Sequence, residues 1–308
     1  MLDPRGPAAR SIADLWWLMA ILATTVFVAV VLALVATMRR RSADPEHDYM
    51  DTAATRNRRW LTGLVAVSAV ILTIVFVASE RVMHAVHGAP ETGDLRVTVK
   101  AWQWWWEVAY VLSGDTVISA NELHLPVGRR IRLELTSGDV IHSLWVPNLQ
   151  GKTDLMPGDT NVMWLQADRA GVSHAPCAEY CGVQHAHMTL IVVSHTPQDF
   201  DRWLAHESLD APQATDSLRR EGAIVFGRAG CAYCHAVRGT RSLGKLGPDL
   251  THFAARRTIA AATLENSALH LTAWLADPQR VKPGTRMPTT ALDARQLAAV
   301  VAYVGGLR

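Results

Sequence analysis

Cys177-Ala-Glu-Tyr-Cys181-Gly-Val-Gln-His185-Ala-His-Met188 places two thiols, an imidazole and a thioether within twelve residues. Soft sulfur donors with imidazole suit copper, and a single blue-copper site needs only one cysteine, two histidines and a weak axial methionine. Two cysteines four residues apart let both sulfurs bridge two ions. Each ion then needs a histidine, so a second must come from elsewhere. His142, in Asp139-Val-Ile-His142-Ser-Leu-Trp, is the candidate, because that segment reads as a strand end running into a turn. A donor there would clamp the loop to a sheet. Spacing alone also leaves zinc open.

Around this loop, Leu95 to about Val193 alternates short apolar runs with turn signals. Leu95-Arg-Val-Thr-Val-Lys100, Ile131-Arg-Leu-Glu-Leu-Thr136 and Thr189-Leu-Ile-Val-Val193 are examples. Period-two alternation bounded by glycine and proline predicts antiparallel strands, and a hundred such residues suit a Greek-key sandwich. Thr196 to Ser217 reads as a linker, with a short helix possible over Gln198 to His206.

The other two of the four cysteines lie in Cys231-Ala-Tyr-Cys234-His235. C-x-x-C-H is the attachment run of c-type haem, with the histidine as proximal ligand. A redox dithiol or half a zinc site is the alternative, but no second cysteine pair follows. A methionine commonly completes six-coordinate electron-transfer haem. Met287 is the only one after His235, in the stiff segment Lys282-Pro-Gly-Thr-Arg-Met287-Pro288. His252 and His270 are rival ligands.

Leu15 to Met38 is 24 residues without a charge and Trp60 to Ser79 is another 20, each long enough to cross a bilayer. Arg39, Arg40, Arg41, Arg56, Arg58 and Arg59 between them place that loop in the cytoplasm, so both chain ends lie outside. A cleaved signal peptide is disfavoured by the long apolar run, the missing small-residue cleavage site and the arginine stop. Net charge is +2 over 308 residues, and no basic tract with interleaved aromatics suggests nucleic acid.

From Leu218 onward the chain resembles a class I cytochrome c domain. Gly222-Ala-Ile-Val-Phe226, Gly247-Pro248-Asp249-Leu250, Met287-Pro288 and a final helix from about Ala294 to Leu307 carry the likeness. It implies that the Phe226 helix crosses the final helix, and that the Pro248 carbonyl orients His235. The copper loop resembles subunit II of the haem–copper cytochrome c oxidases, whose soluble cupredoxin domain holds the binuclear CuA centre. This likeness implies Cys177 and Cys181 as bridging ligands and His142 and His185 as terminal ones. Met188 and the backbone carbonyl of Glu179 would be weak ligands, and the Glu179 carboxylate would reach a magnesium ion facing the catalytic subunit. Trp104, in Trp102-Gln-Trp104, would be where electrons enter, and the neighbouring tryptophans would pack against the membrane surface or a partner. Asn57 stands where many family members carry a proton-path glutamate.

Together these readings describe a multi-domain membrane protein with a transmembrane helical hairpin, an all-β Greek-key cupredoxin domain and an all-α cytochrome c domain. The expected divisions are residues 1–93 (helices about 15–38 and 60–80), 94–195, a linker over 196–217, and 218–308. The resemblance implies the electron-transfer subunit of a caa-type respiratory cytochrome c oxidase in a bacterial cell membrane. Electrons would pass from haem c to CuA and on to subunit I, in an oxygen-reducing, proton-translocating complex that also includes subunit III. A cytochrome or another donor would supply them. The alternatives are a subunit of a nitric oxide reductase-type complex and a free-standing membrane carrier.

Overall fold

The two uncharged runs lie inside longer helices, α1 (Pro7–Arg41) and α2 (Thr52–His87). A computed structural model describes residues 3–41, 52–87, 95–112 and 114–308. The turn expected between the helices and the boundary expected at residue 93 lie outside the described residues. Both helices run past the apolar cores predicted for them. Pro7 is tolerated in a first turn, and the flanking arginines are good helix formers. At about 1.5 Å per residue each exceeds the ~30 Å hydrocarbon core, so the charged ends project beyond it. Phe27, Leu32, Leu64 and Phe76 stand exposed along them, as lipid-facing side chains must. Of the described residues, 10–41 and 52–87 form one unit, and 3–9, 95–112 and 114–308 form the other.

The second unit begins with ten strands. They are β1 (Arg96–Trp102), β2 (Trp105–Leu112), β3 (Asp115–Ala120), β4 (Glu122–Pro126), β5 (Ile131–Ser137), β6 (His142–Trp145), β7 (Lys152–Leu155), β8 (Asn161–Leu165), β9 (Gly171–Pro176) and β10 (Thr189–His195). One sheet has the order β3-β2-β1-β5-β8, a second β4-β10-β9, and β6 pairs with β7. Strands β1 and β5 alternate buried and half-exposed residues, as period-two patterning requires. The inward set, including Val97, Val99, Leu133 and Leu135, forms the core. The expectation of purely antiparallel pairing is corrected at two places, because β1 runs parallel to β5 and β4 parallel to β10. Alternation reports which face is buried, and that is the same for either strand direction.

Two further expectations change. Trp106 is fully buried and belongs to the sandwich core, rather than facing membrane or partner. Trp102 and Trp105 stack on each other with centroids 6.2 Å apart. The short helix expected over Gln198 to His206 forms as α3 (Pro197–Glu207), capped by Thr196 Oγ1 accepting from Asp199 N, but it is packed on the sandwich rather than lying free in a linker. Its Phe200 lies in the sandwich core, and Trp203 stacks on His124 at 4.1 Å and 3°. That stack explains how β4 is buried on both faces despite its sequence Glu-Leu-His-Leu-Pro.

The C-terminal part is helical. Its helices are α4 (Ser217–Arg228), α5 (Cys231–Cys234), α6 (Ala268–Ala276), α7 (Pro278–Val281) and α8 (Ala294–Val304). Helices α4 and α8 cross at Gly222, where an added Cβ would lie 2.0 Å from the Ala299 carbonyl oxygen. Phe226 and Tyr303 meet edge-on beside that crossing. Around them Leu271, Val300 and Val304 build a core separate from that of the sandwich.

Candidate metal centres

The copper loop is closed by its own backbone. Cys177 N donates to Met188 O at 2.8 Å, and Ala178 N donates to Ser143 O at 3.0 Å, which joins the loop to β6. A 3-10 turn over His185–His187 folds the far end back toward the cysteines. The donors converge in consequence. Cys177 Sγ lies 3.8 Å from Cys181 Sγ and 3.9 Å from His142 Nδ1. Cys181 Sγ lies 3.6 Å from His185 Nδ1 and 3.8 Å from Met188 Sδ, and Cys177 Sγ is 3.3 Å from Glu179 O. Donors about 2.0–2.3 Å from a shared ion in tetrahedral array stand about 3.3–3.8 Å apart, so the set fits metal ions. Two thiolates, two imidazoles and a thioether are a copper set rather than a typical zinc one.

The surroundings support that role. His142 and Met188 are fully buried. The thiols titrate as a pair, since the contact between the sulfurs lowers Cys177 to about 3 and holds the Cys181 proton on. Asp139 was not singled out from the sequence, yet its Oδ1 lies 3.0 Å from His142 Nε2, which leaves Nδ1 toward the sulfurs. Burial alone would raise the Asp139 carboxyl, but bonds from His142, Gln103 N and Val140 N hold it below its ordinary value. A carboxylate behind a ligand histidine fixes its ring, and the three-residue spacing from Asp139 to His142 was the available signal. Gln103 Nε2 and Trp104 Nε1 both donate to Cys181 O, at 2.8 and 3.0 Å. The Glu179 carboxylate points outward and pairs with Lys152 at 3.4 Å. His174 and His187 are exposed, and His195 stacks on His124.

At the haem motif, Gly230 takes a left-handed φ of 85° and starts the single turn that presents Cys231, Cys234 and His235. His235 Nδ1 bonds to the Pro248 carbonyl at 2.7 Å, as the cytochrome likeness implies, so Nε2 is the atom free to ligate. Burial lowers the pKa of the His235 ring although this bond opposes it, which favours the neutral form a metal needs. Cys231 and Met287 both pack at the edge of the helical core, so a thiol and a thioether border one apolar region. That donor set fits a haem. The rival histidines are engaged elsewhere, His252 Nε2 with Leu209 O at 3.0 Å and His270 Nδ1 with Glu265 O at 3.0 Å.

A membrane-anchored protein carrying a copper-type sulfur loop on a β-sandwich and a C-x-x-C-H helical domain is an electron-transfer protein. Residues 113–195 match the family described as cytochrome c oxidase subunit II, periplasmic domain, and residues 220–308 match cytochrome c. Cytochrome c oxidase subunit 2 of Alkalihalophilus pseudofirmus is 35% identical over 314 aligned positions, covering 100% of this chain and 90% of that relative. The counterpart in Bacillus sp. (strain PS3) is 34% identical over 224 positions, covering 69% of this chain and 62% of its own. The solved periplasmic domain of subunit II of cytochrome oxidase from Bradyrhizobium japonicum aligns at 27% identity and a TM-score of 0.36, over 38% of this chain and 94% of that one. The chain belongs to the cytochrome c oxidase subunit II family, in the form fused to a cytochrome c domain. Its two domains imply CuA copper and haem c, in an electron-transfer subunit anchored in the membrane with periplasmic domains and associated with the catalytic subunit I. Membership favours the oxidase over the nitric oxide reductase-type and free-carrier readings.

Proposed function

We propose that His142, Cys177, Cys181, His185, Met188 and the Glu179 carbonyl hold the copper pair. Cys231 and Cys234 form the haem thioethers, and His235 and Met287 are the axial ligands. The observation that carries the copper assignment is the clustering of its donors at 3.3–3.9 Å on a loop closed by its own backbone. When bound, the haem and the copper pair each carry one electron at a time toward the oxygen-reducing subunit. The protein groups do the rest. Asp139 fixes His142, buried Met188 keeps water from the sulfurs, and Pro248 holds the His235 ring. Trp104, one hydrogen bond from Cys181, is where electrons reach the copper loop.

The proposed domain division keeps 94–195 as the cupredoxin and 218–308 as the cytochrome, with α3 of the intervening 196–217 segment folded onto the former. Both chain termini are assigned to the periplasmic side on the arginine-rich hairpin loop. Subunit III and an external cytochrome-type donor complete the proposed partners. Magnesium at the Glu179 carboxylate belongs to this reading too, supported by its outward aim, with Lys152 the cation it would displace.

Met188→Leu tests the ligand set. The swap is nearly volume-conserving, so folding should lose less than ~1.5 kcal/mol. The copper absorption and paramagnetic signals of the full chain in its complex should change while the haem Soret band stays fixed. A changed haem spectrum with an unchanged copper one would sink the assignment.

A further inference from the structure

Lys282 belongs to the cytochrome sequence, but its ammonium reaches two carbonyls of the copper domain. It is 2% exposed, although lysine is almost never fully buried unless paired. Its Nζ donates to Trp104 O at 2.9 Å, His187 O at 2.7 Å and Ala260 O at 2.9 Å. Three carbonyl oxygens therefore satisfy all three N–H bonds of the ammonium. Burial pushes the amine down to about 7, and the three carbonyl acceptors aimed at it oppose that loss of charge.

The three acceptors come from three places. Trp104 bonds Cys181 through its indole, and His187 lies between His185 and Met188 in the copper loop. Ala260 opens a run of three non-glycine residues with positive φ (53°, 58° and 64°), a backbone shape L-residues rarely adopt. That run serves the same contact, since Ala261 O accepts from Thr189 N at 3.2 Å, just beyond the copper loop. Lys282 itself stands five residues before Met287, with its own backbone pinned by N–H donation to Pro278 O at 2.8 Å. The remainder of its loop follows it in. Gln184 Nε2 donates to Pro283 O at 2.7 Å, and a Cβ on Gly284 would stand 3.1 Å from Val183.

We propose that Lys282 is the positioning residue that locks the axial-methionine loop of the cytochrome onto the copper loop and so fixes the spacing of the two centres for internal electron transfer. An apolar side chain could fill this space, but it would take the Lys282 donor from the buried Trp104 carbonyl and leave those of His187 and Ala260 with only the Thr263 hydroxyl. The proposal rests on the ligand reading above for its functional meaning, although the contact itself does not.

The chain has four lysines, and Lys100, Lys152 and Lys245 are exposed or half-exposed. Amine acylation of the full chain in its complex, read by mass spectrometry, should modify Lys282 at least tenfold more slowly than Lys245. Labelling at equal rates would overturn the proposal without touching the ligand assignment. In Lys282→Met the stem stays and the donors go. Haem Soret and copper signals should be unchanged, while transfer from haem to copper after flash reduction falls at least tenfold and becomes dependent on solvent viscosity. Backbone hydrogen exchange at 182–188 and 258–263 should accelerate. Wild-type transfer at wild-type viscosity dependence in this variant would overturn the proposal. Should the variant lose either cofactor signal, the wild-type labelling ratio decides by itself.

Discussion

Gly247→Ala puts one methyl group against the ring of His235. The added Cβ would lie 2.7 Å from His235 Cε1, 3.0 Å from Nδ1 and 3.2 Å from Nε2. Carbon contacts are comfortable at about 3.5–4.0 Å, so the ring must retreat by roughly 0.8 Å or the loop must open. Overpacking of this kind costs about 1–3 kcal/mol. Retreat also strains the 2.7 Å bond to Pro248, whose loss adds about 1 kcal/mol. A total of about 2–4 kcal/mol in a domain of this size should lower its melting point by ~10 °C or more. The assay is thermal unfolding of the full chain, followed in the Soret band, with the midpoint potential of the haem as a second reading. Gly227→Ala is the control, because nothing lies within 4 Å of a Cβ there and the residue is inside helix α4. It should stabilise by about 0.5–1 kcal/mol. If Gly247→Ala melted with wild type and kept its potential, the packing of Gly247 against His235 would be looser than these distances require.

Two other outcomes follow from burial and packing. Burial raises Glu207 from 4.5 to about 7, so the folded state binds more protons than the unfolded one between those values, and stability falls as pH rises through them. The wild-type minus Glu207→Gln difference in unfolding free energy should therefore slope downward from pH 5 to 7, by up to about 3 kcal/mol, and a flat difference would refute the burial argument. Gly222→Ala drives a methyl into the Ala299 carbonyl, where rigid backbone cannot yield, so α4 and α8 must separate at a cost of about 3 kcal/mol or more. Haem-loaded yield and Soret melting should both drop, and an unchanged melt would show that the crossing is looser than its geometry.

The sulfur–imidazole cluster and the haem motif were legible because they are local: Cys177, Cys181, His185 and Met188 lie within twelve residues, and Cys231 to His235 within five. His142, which the fold brings to 3.9 Å from Cys177 Sγ, was legible only as the second histidine that two coppers would require. Contacts made across the fold left fainter marks. Nothing in Glu122-Leu-His-Leu-Pro126 announces burial on both faces, since that depends on Trp203 arriving from α3. Trp106 looked like an interface residue because a run of tryptophans suits an interface as well as it suits a core. Lys282 read as part of a proline–glycine loop, and its role depends on carbonyl groups, which no side-chain pattern reveals.

The packing of α3 sets how far the cytochrome can travel. With Phe200 seated in the sandwich core, the connecting chain runs only from Ser208 to Asp216 before α4 begins. Nine residues fully extended reach at most about 30 Å. A cytochrome released from its seat would stay within a sphere of that radius, at an effective concentration on the order of 10 mM. The leash is short enough that undocking is quickly reversed. Each oxidase thus has a cytochrome of its own, present at fixed stoichiometry whatever the supply of diffusing carriers outside.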